Sequence, residues 1–270
     1  MAKNPRRAVP ILVALLMVGT TSAAFAVSLA NVIDLRTEGS SEETGIANGA
    51  LFYQSTDQSS GTGYIDPFLR LQDSPIEEAF NTDYRSGGGG GQAPLDAKSD
   101  PNYTHSLTFG ELATVTVGTT DYYLFSLDLD EPNAGPFRDL SLDEVKIYAG
   151  GTPDLDSVGG LPLLWSMDGA GDATVLLNGG ALSPGNGGDD MQMLVPTSFF
   201  AGVDAGSYMY FYTKFGSTLA ADVGSNVDAD ASFEEWRART TEPPDVPEPG
   251  TLVLLGAGLA GLIRVRRKRK

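Results

Sequence analysis

Through most of its middle the chain is written in short runs whose apolar residues recur at every second position, and a period of two leaves room for little besides β-strands. Each run is bounded by Gly, Pro, Asn or Asp, and the runs return at intervals of roughly ten to fifteen residues, the spacing of an antiparallel sandwich. Helical periodicity is nearly missing. In "DYYLFSLDLD", Tyr123, Phe125, Leu127 and Leu129 point one way, toward the core, and Tyr122, Leu124, Ser126 and Asp128 the other. In "LATVTVG", Val115 and Val117 alternate with Thr114 and Thr116, and in "LPLLWSM" the residues Leu161, Leu163, Trp165 and Met167 share a face. Further strands are expected at Ala50–Gln54, Tyr64–Leu71, Tyr103–Phe109, Asp143–Tyr148, Thr174–Leu177, Met191–Val195 and Ser207–Phe215. Pro67 and Pro196 place two of these at a sheet edge or a bend. Only Pro75–Ala79 and Ala231–Arg239 look helical, the second with Phe233 and Trp236 at the i, i+3 spacing that could pin it to the core. The expected fold is all-β, a single antiparallel β-sandwich of jelly-roll type over residues 27–239.

The two ends do not belong to that domain. Lys3, Arg6 and Arg7 precede the apolar stretch Ala8–Val18, and Ala24-Phe25-Ala26 puts small side chains at Ala24 and Ala26, the two positions a signal peptidase reads. Residues 1–26 are therefore expected to be a cleaved signal peptide, since the apolar run is too short for a comfortable membrane span. The stretch between the two ends, Val27 to Asp245, is 219 residues, enough to bury a core without disulfides. At the other end residues 240–249 form a proline-rich spacer, which disfavours helix and central strand. Residues 250–263, "GTLVLLGAGLAGLI", are uncharged and apolar, and the tail 264–270 carries Arg264, Arg266, Arg267, Lys268, Arg269 and Lys270. Fourteen helical residues reach about 21 Å against a hydrocarbon core of about 30 Å, so this transmembrane helix suits transient retention in the inner membrane, with the basic tail in the cytoplasm.

Pro247-Glu248-Pro249, the short Gly- and Leu-rich helix and the Arg/Lys tail together resemble the PEP-CTERM sorting signal of Gram-negative bacteria that make extracellular polysaccharide. The resemblance covers about Val246 to Lys270. It implies recognition by an exosortase-like membrane enzyme, cleavage near Pro247–Pro249, and transfer to the cell surface or extracellular matrix. The middle, from "GTGYIDPFLRLQ" through "LSLDEVKIY" to "SFEEWRA", is similar to the body of other PEP-CTERM proteins of unassigned role.

Composition narrows the chemistry. The chain has no cysteine, which excludes a disulfide framework, thiolate catalysis and Cys-ligated zinc. His105 is the sole histidine, no G-x-S-x-G nucleophile elbow occurs in the sequence, and His105 is expected to be a structural or surface residue. Val27–Pro247 holds nine Lys/Arg against thirty-four Asp/Glu, a net charge of −25 that repels nucleic acid and keeps an exported domain soluble. No carboxylate pair stands out as that of a glycosidase. Calcium has better ligands: Asp128, Asp130 and Asn133 cluster at a strand end, although Pro132 and the late Gly135 depart from an EF-hand loop, and Asp228, Asp230 and Glu234 form a second acidic group. Solvated loop acids are the alternative for both. The five consecutive glycines Gly87–Gly91 suit a flexible loop.

Tyr208, Tyr210 and Tyr212, followed by Lys214, share one face of "SYMYFYTKF", opposite Met209, Phe211 and Phe215. If the second set is core, the tyrosines make an aromatic stripe for stacking on sugar rings; the alternative is a strand buried on both sides. The expected function is that of an exported, non-catalytic surface or matrix protein with a structural, adhesive or polysaccharide-associated role and no cofactor. A calcium-dependent carbohydrate-binding module is the alternative, and a polysaccharide hydrolase a more remote one.

Overall fold

A computed structural model of the protein describes residues 31–36, 44–55, 67–87, 90–130, 138–179, 189–230 and 232–241. The expected signal peptide, transmembrane helix and basic tail lie outside the described residues. Among those described, no helix is long and apolar enough to cross a membrane.

The protein is all-β. In chain order the strands are β1 Asn31–Asp34, β2 Thr44–Ala47, β3 Ala50–Gln54, β4 Leu69–Leu71, β5 Glu77–Phe80, β6 Leu107–Thr108 and β7 Thr114–Val117. They continue as β8 Thr120–Leu129, β9 Asp139–Gly150, β10 Leu163–Ser166, β11 Ala173–Asn178, β12 Met191–Pro196, β13 Tyr208–Phe215 and β14 Glu234–Ala238. One sheet runs β1-β11-β9-β13-β5, with β10 added to β9 and β6 to β13; the other runs β2-β3-β12-β8-β14-β4, with β7 added to β8. Pairing is antiparallel except between β1 and β11. Asn48 and Gly49, both at positive φ (41° and 78°), turn β2 into β3 in the two-residue geometry that matches strand twist.

The alternation in the sequence sets the inner faces. On β8, Phe125, Leu127 and Leu129 are buried, and on β13 Met209, Phe211 and Phe215. These faces meet: Phe211 of the first sheet lies 5.0 Å from Phe125 and 4.8 Å from Trp236 of the second, centroid to centroid, and 5.4 Å edge-on from Phe68. One hydrophobic core therefore joins both sheets.

Both segments expected to be helical are strands. Residues 77–80 form β5, paired to β13 from Glu77↔Phe215 to Tyr212↔Phe80. Residues 234–238 form β14, with Glu234, Trp236 and Ala238 inward and Glu235 and Arg237 outward. Each segment is shorter than an isolated helix needs, and each has an open sheet edge to satisfy its backbone, so tertiary pairing overrides local preference. Trp236 does pin this stretch to the core, while Phe233 lies apart, its ring 5.0 Å from the Arg70 guanidinium.

Other boundaries move for local reasons. Within 103–109 only Leu107–Thr108 is strand; a turn comes first, with Tyr103 N–H donating to Asp100 O at 3.0 Å, and the 3-10 turn Phe109–Glu111 follows. Leu163 is exposed because the register of β10 shifts between Leu163 and Trp165, which leaves only Trp165 and Met167 of the expected face inside. Pro67 precedes β4 at a sheet edge, whereas Pro196 closes β12 in the middle of its sheet. Across the glycine run the loop is closed by Ser86 N–H to Gln92 O (3.0 Å) and Gln92 N–H to Ser86 Oγ (2.9 Å).

Candidate functional site

The outward face of the first sheet carries the tyrosines, and the structure treats the three differently. Tyr210 is only 1% exposed: its hydroxyl donates to Thr152 O at 2.6 Å and accepts from Leu155 N–H at 3.1 Å, and its ring lies 6.1 Å from that of Phe80. Tyr208 and Tyr212 remain half-buried on either side of it. A continuous exposed stripe is thus not formed, because residues 152–155 fold over its middle.

What the face presents instead is a mixed cluster around Tyr212. Its hydroxyl donates to the Glu78 carboxylate, and the Lys146 amino group stands 5.5 Å above its ring while donating to Glu144. Register places Lys146 beside Tyr212, and Tyr148 beside Tyr210, on the neighbouring strand. Burial, with Glu78 as hydrogen-bond acceptor, raises Tyr212 above the usual phenol range, so the ring stays a neutral donor. Burial raises Tyr148 and Tyr210 as well. The sequence reading does not single out Glu144, Lys146 and Tyr148, although they alternate with Val145 and Ile147 in "DEVKIY", and that alternation marks them as outward-facing.

The acids of the two groups stand on different elements. Asp128 is on the outer face of β8, across from Glu235 of β14; Asp130 follows the strand, its N–H bonded to Phe233 O; Asn133 lies outside the described residues. Asp230 accepts from Ser232 N–H (2.9 Å) and Oγ–H (2.6 Å), while Glu234, on β14, is buried. Among the described residues no three His, Cys, Asp or Glu side chains gather as a metal site.

Several polar groups are instead committed to holding the body together. Asp143, buried on β9, accepts from Ser141 Oγ–H (2.9 Å), Ser217 N–H (2.7 Å) and Thr218 Oγ1–H (2.5 Å). The Arg85 guanidinium donates to four backbone carbonyls, those of Thr82, Tyr84, Ser99 and Thr104, at 2.7–3.0 Å. His105 sits in this region, with its N–H on Phe68 O and its ring Nδ1 buried. Glu77 on β5 and Glu234 on β14 are buried carboxyls on inward-facing strand positions, one in each sheet.

The body is tied down as far as Thr241, whose N–H donates to Glu111 O at 2.8 Å, next to the bridge between Leu112 and Thr240. Shortly beyond, residues 245–269 match the family described as the PEP-CTERM protein-sorting motif. The chain carries a PEP-CTERM sorting motif. The PEP-CTERM match contains Pro247, Glu248, Pro249, the apolar stretch and all but the last of the basic residues, and it marks a protein that an exosortase-like enzyme sorts to the cell surface. No curated protein and no solved structure matches this PEP-CTERM chain.

Proposed function

We propose that the protein is a non-catalytic structural or adhesive component of the bacterial surface or extracellular matrix, associated with polysaccharide. In this reading the signal peptide is removed after Ala26, the C-terminal helix holds the precursor in the inner membrane with its body in the periplasm, and an exosortase-like enzyme cuts near Pro247–Pro249. The two sheets would form a jelly-roll-like sandwich as the delivered body. The observation that carries the proposal is the sorting motif at 245–269, directly after a body built around one core.

Replacing Pro247-Glu248-Pro249 by alanines tests it. Fractionation is expected to show the unprocessed chain accumulating in the membrane, and processing unchanged from wild type would refute the sorting role.

A second reading, a carbohydrate-binding module with or without calcium, is favoured by the half-buried Tyr148 and Tyr212 beside Lys146, Glu144 and Glu78, since rings with flanking donors and acceptors suit sugar faces. Retention of the protein on the organism's own exopolysaccharide, lost in Tyr148→Ala and Tyr212→Ala, supports this reading. Retention that ignores both changes places binding elsewhere, and depolymerisation would overturn the non-catalytic role.

A further inference from the structure

Exposed apolar side chains gather at one end of the second sheet, and the chain leaves from that end. Register lines up Ile46, Leu51, Leu194 and Leu124 straight across the outward face of β2, β3, β12 and β8. Leu194 is buried within this row, whereas Ile46, at the sheet edge, is 61% exposed. Beside the row, Tyr122 on β8 stands between Pro196 and Val115, and Val117 closes β7 at 48% exposure. The 3-10 turn Thr197–Phe200 continues from Pro196, with Thr197 Oγ1–H donating to Asp121 O at 3.1 Å. It sets the exposed Phe199 ring over the β2–β3 turn, where a β-carbon on Gly49 would stand 3.5 Å from the ring. Apolar residues scattered singly over a surface need no partner, but a group of them marks an interaction surface.

The path of the chain identifies the partner. After β14, Arg239 N–H donates to Leu124 O (3.0 Å), and Arg239 O accepts from Ala113 N–H (2.8 Å), one residue before β7. Alternation continued from Glu235 and Arg237 turns the exposed Arg239 side chain to the same outward face. Two residues on, Thr241 N–H donates to Glu111 O at 2.8 Å. Gly250, where the apolar stretch begins, follows Thr241 by nine positions, a reach of at most about 32 Å. With residues 250–263 in the membrane, this end of the body is held within that distance of the bilayer. A zwitterionic lipid surface suits it. The net charge of −25 over Val27–Pro247 repels anionic lipid, but the row itself holds no acid, and Arg239 offers lipid phosphate a donor.

We propose, on the anchored-precursor reading above, that this end of the second sheet rests on the bilayer that anchors the chain, with Ile46, Val117 and Phe199 entering the headgroup region. The anchor gives these few side chains a high local concentration of lipid, so a contact too weak to recruit a free protein is enough to orient a tethered one. That orientation keeps Pro247–Pro249 between body and bilayer, within reach of a membrane-embedded enzyme. Cleavage removes the tether, and the acidic body then leaves the lipid.

The chain has no cysteine, so single labels can be placed cleanly. Val117→Cys, Phe199→Cys and a control, Leu219→Cys, carry an NBD fluorophore in the full chain, reconstituted into phosphatidylcholine–phosphatidylethanolamine vesicles with a nitroxide near the lipid headgroup. Ser207, just before β13, bonds Phe109 N–H at the end where the chain leaves; Leu219 follows the other end of β13 and is also an exposed apolar residue. An interfacial side chain sits about 5–10 Å into the headgroup boundary, so quenching at 117 and 199 is expected to exceed that at 219 by at least about threefold. Equal quenching in chains that float with the vesicles overturns the resting surface and leaves the anchor standing. Labels at 117 and 199 that are shielded from aqueous iodide yet not quenched by lipid assign the face to a second copy, which also overturns it. A full chain that does not float with the vesicles overturns the anchor and the surface together.

Discussion

Removing the Phe211 ring tests whether the two sheets share one core. Phe211 is wholly buried on β13, and its ring touches three others from outside its own sheet's strands: Phe125 at 5.0 Å, Trp236 at 4.8 Å and Phe68 at 5.4 Å. Phe→Ala in a packed core costs about 3–5 kcal/mol in lost transfer and cavity energy, and three ring contacts place this site toward the upper end, about 4–5 kcal/mol. That is a large share of the roughly 5–15 kcal/mol that separates a folded domain from its unfolded chain. Phe211→Leu keeps most of the volume, and its cost is expected near 1–2 kcal/mol. Tyr208→Ala, half-buried on the outward face of the same strand, should cost less than about 1 kcal/mol. Urea unfolding monitored through the buried Trp165 and Trp236 measures all three. A cost below about 1 kcal/mol for Phe211→Ala, or one no larger than that of Tyr208→Ala, would mean that the two inner faces do not pack against each other.

Two more outcomes rest on buried polar groups. Arg85→Ala leaves four carbonyls without their donor and is expected to destabilise by about 2–3 kcal/mol; Arg85→Lys should recover less than half of that, since an ammonium cannot reproduce the planar fork, and denaturation midpoints decide it. Burial, with Asp128 and Asp189 nearby, raises Asp190 to about 8 while Leu129 N–H bonds its carboxyl at 2.7 Å. Its folded form therefore holds a proton that the unfolded form has released, so its contribution is full below the ordinary 3.8 and is lost as pH climbs toward about 8. Asp190→Asn should flatten that part of the melting-temperature profile between pH 4 and pH 8, and a profile parallel to wild type would contradict it.

The period of two was enough to find the central strands. β8, β12 and β13 sit within a residue or two of their expected limits because their apolar faces are long, uninterrupted and buried by a second sheet. The failures sit at an edge or next to one. β5 and β14 are four- and five-residue strands whose sequences, "EEAF" and "EEWRA", are rich in helix-favouring residues, and only the free edges of β13 and β8 make them strands. A sequence contains no local record of which edge will be open. The same limit explains the inward glutamates: Glu77 and Glu234 occupy positions that the strand pattern assigns to the core, but that assignment becomes visible only once both segments are known to be strands.

The tyrosine row shows a different limit. Alternation correctly separated Tyr208, Tyr210 and Tyr212 from Met209, Phe211 and Phe215, yet an outward-facing residue is exposed only if nothing folds over it. Residues 152–155 do so at Tyr210, holding its hydroxyl from both sides through Thr152 O and Leu155 N–H. These are long-range backbone contacts made by a loop whose course depends on where β9 ends. The outward surface left around Tyr212 is consequently set by pairs across strands, Lys146 with Tyr212 and Glu78 with Lys214, and not by any single run of sequence. A glycan reading of this face therefore rests on two neighbouring strands together, and substitution of Tyr148 on β9 bears on it as directly as substitution of Tyr212 on β13.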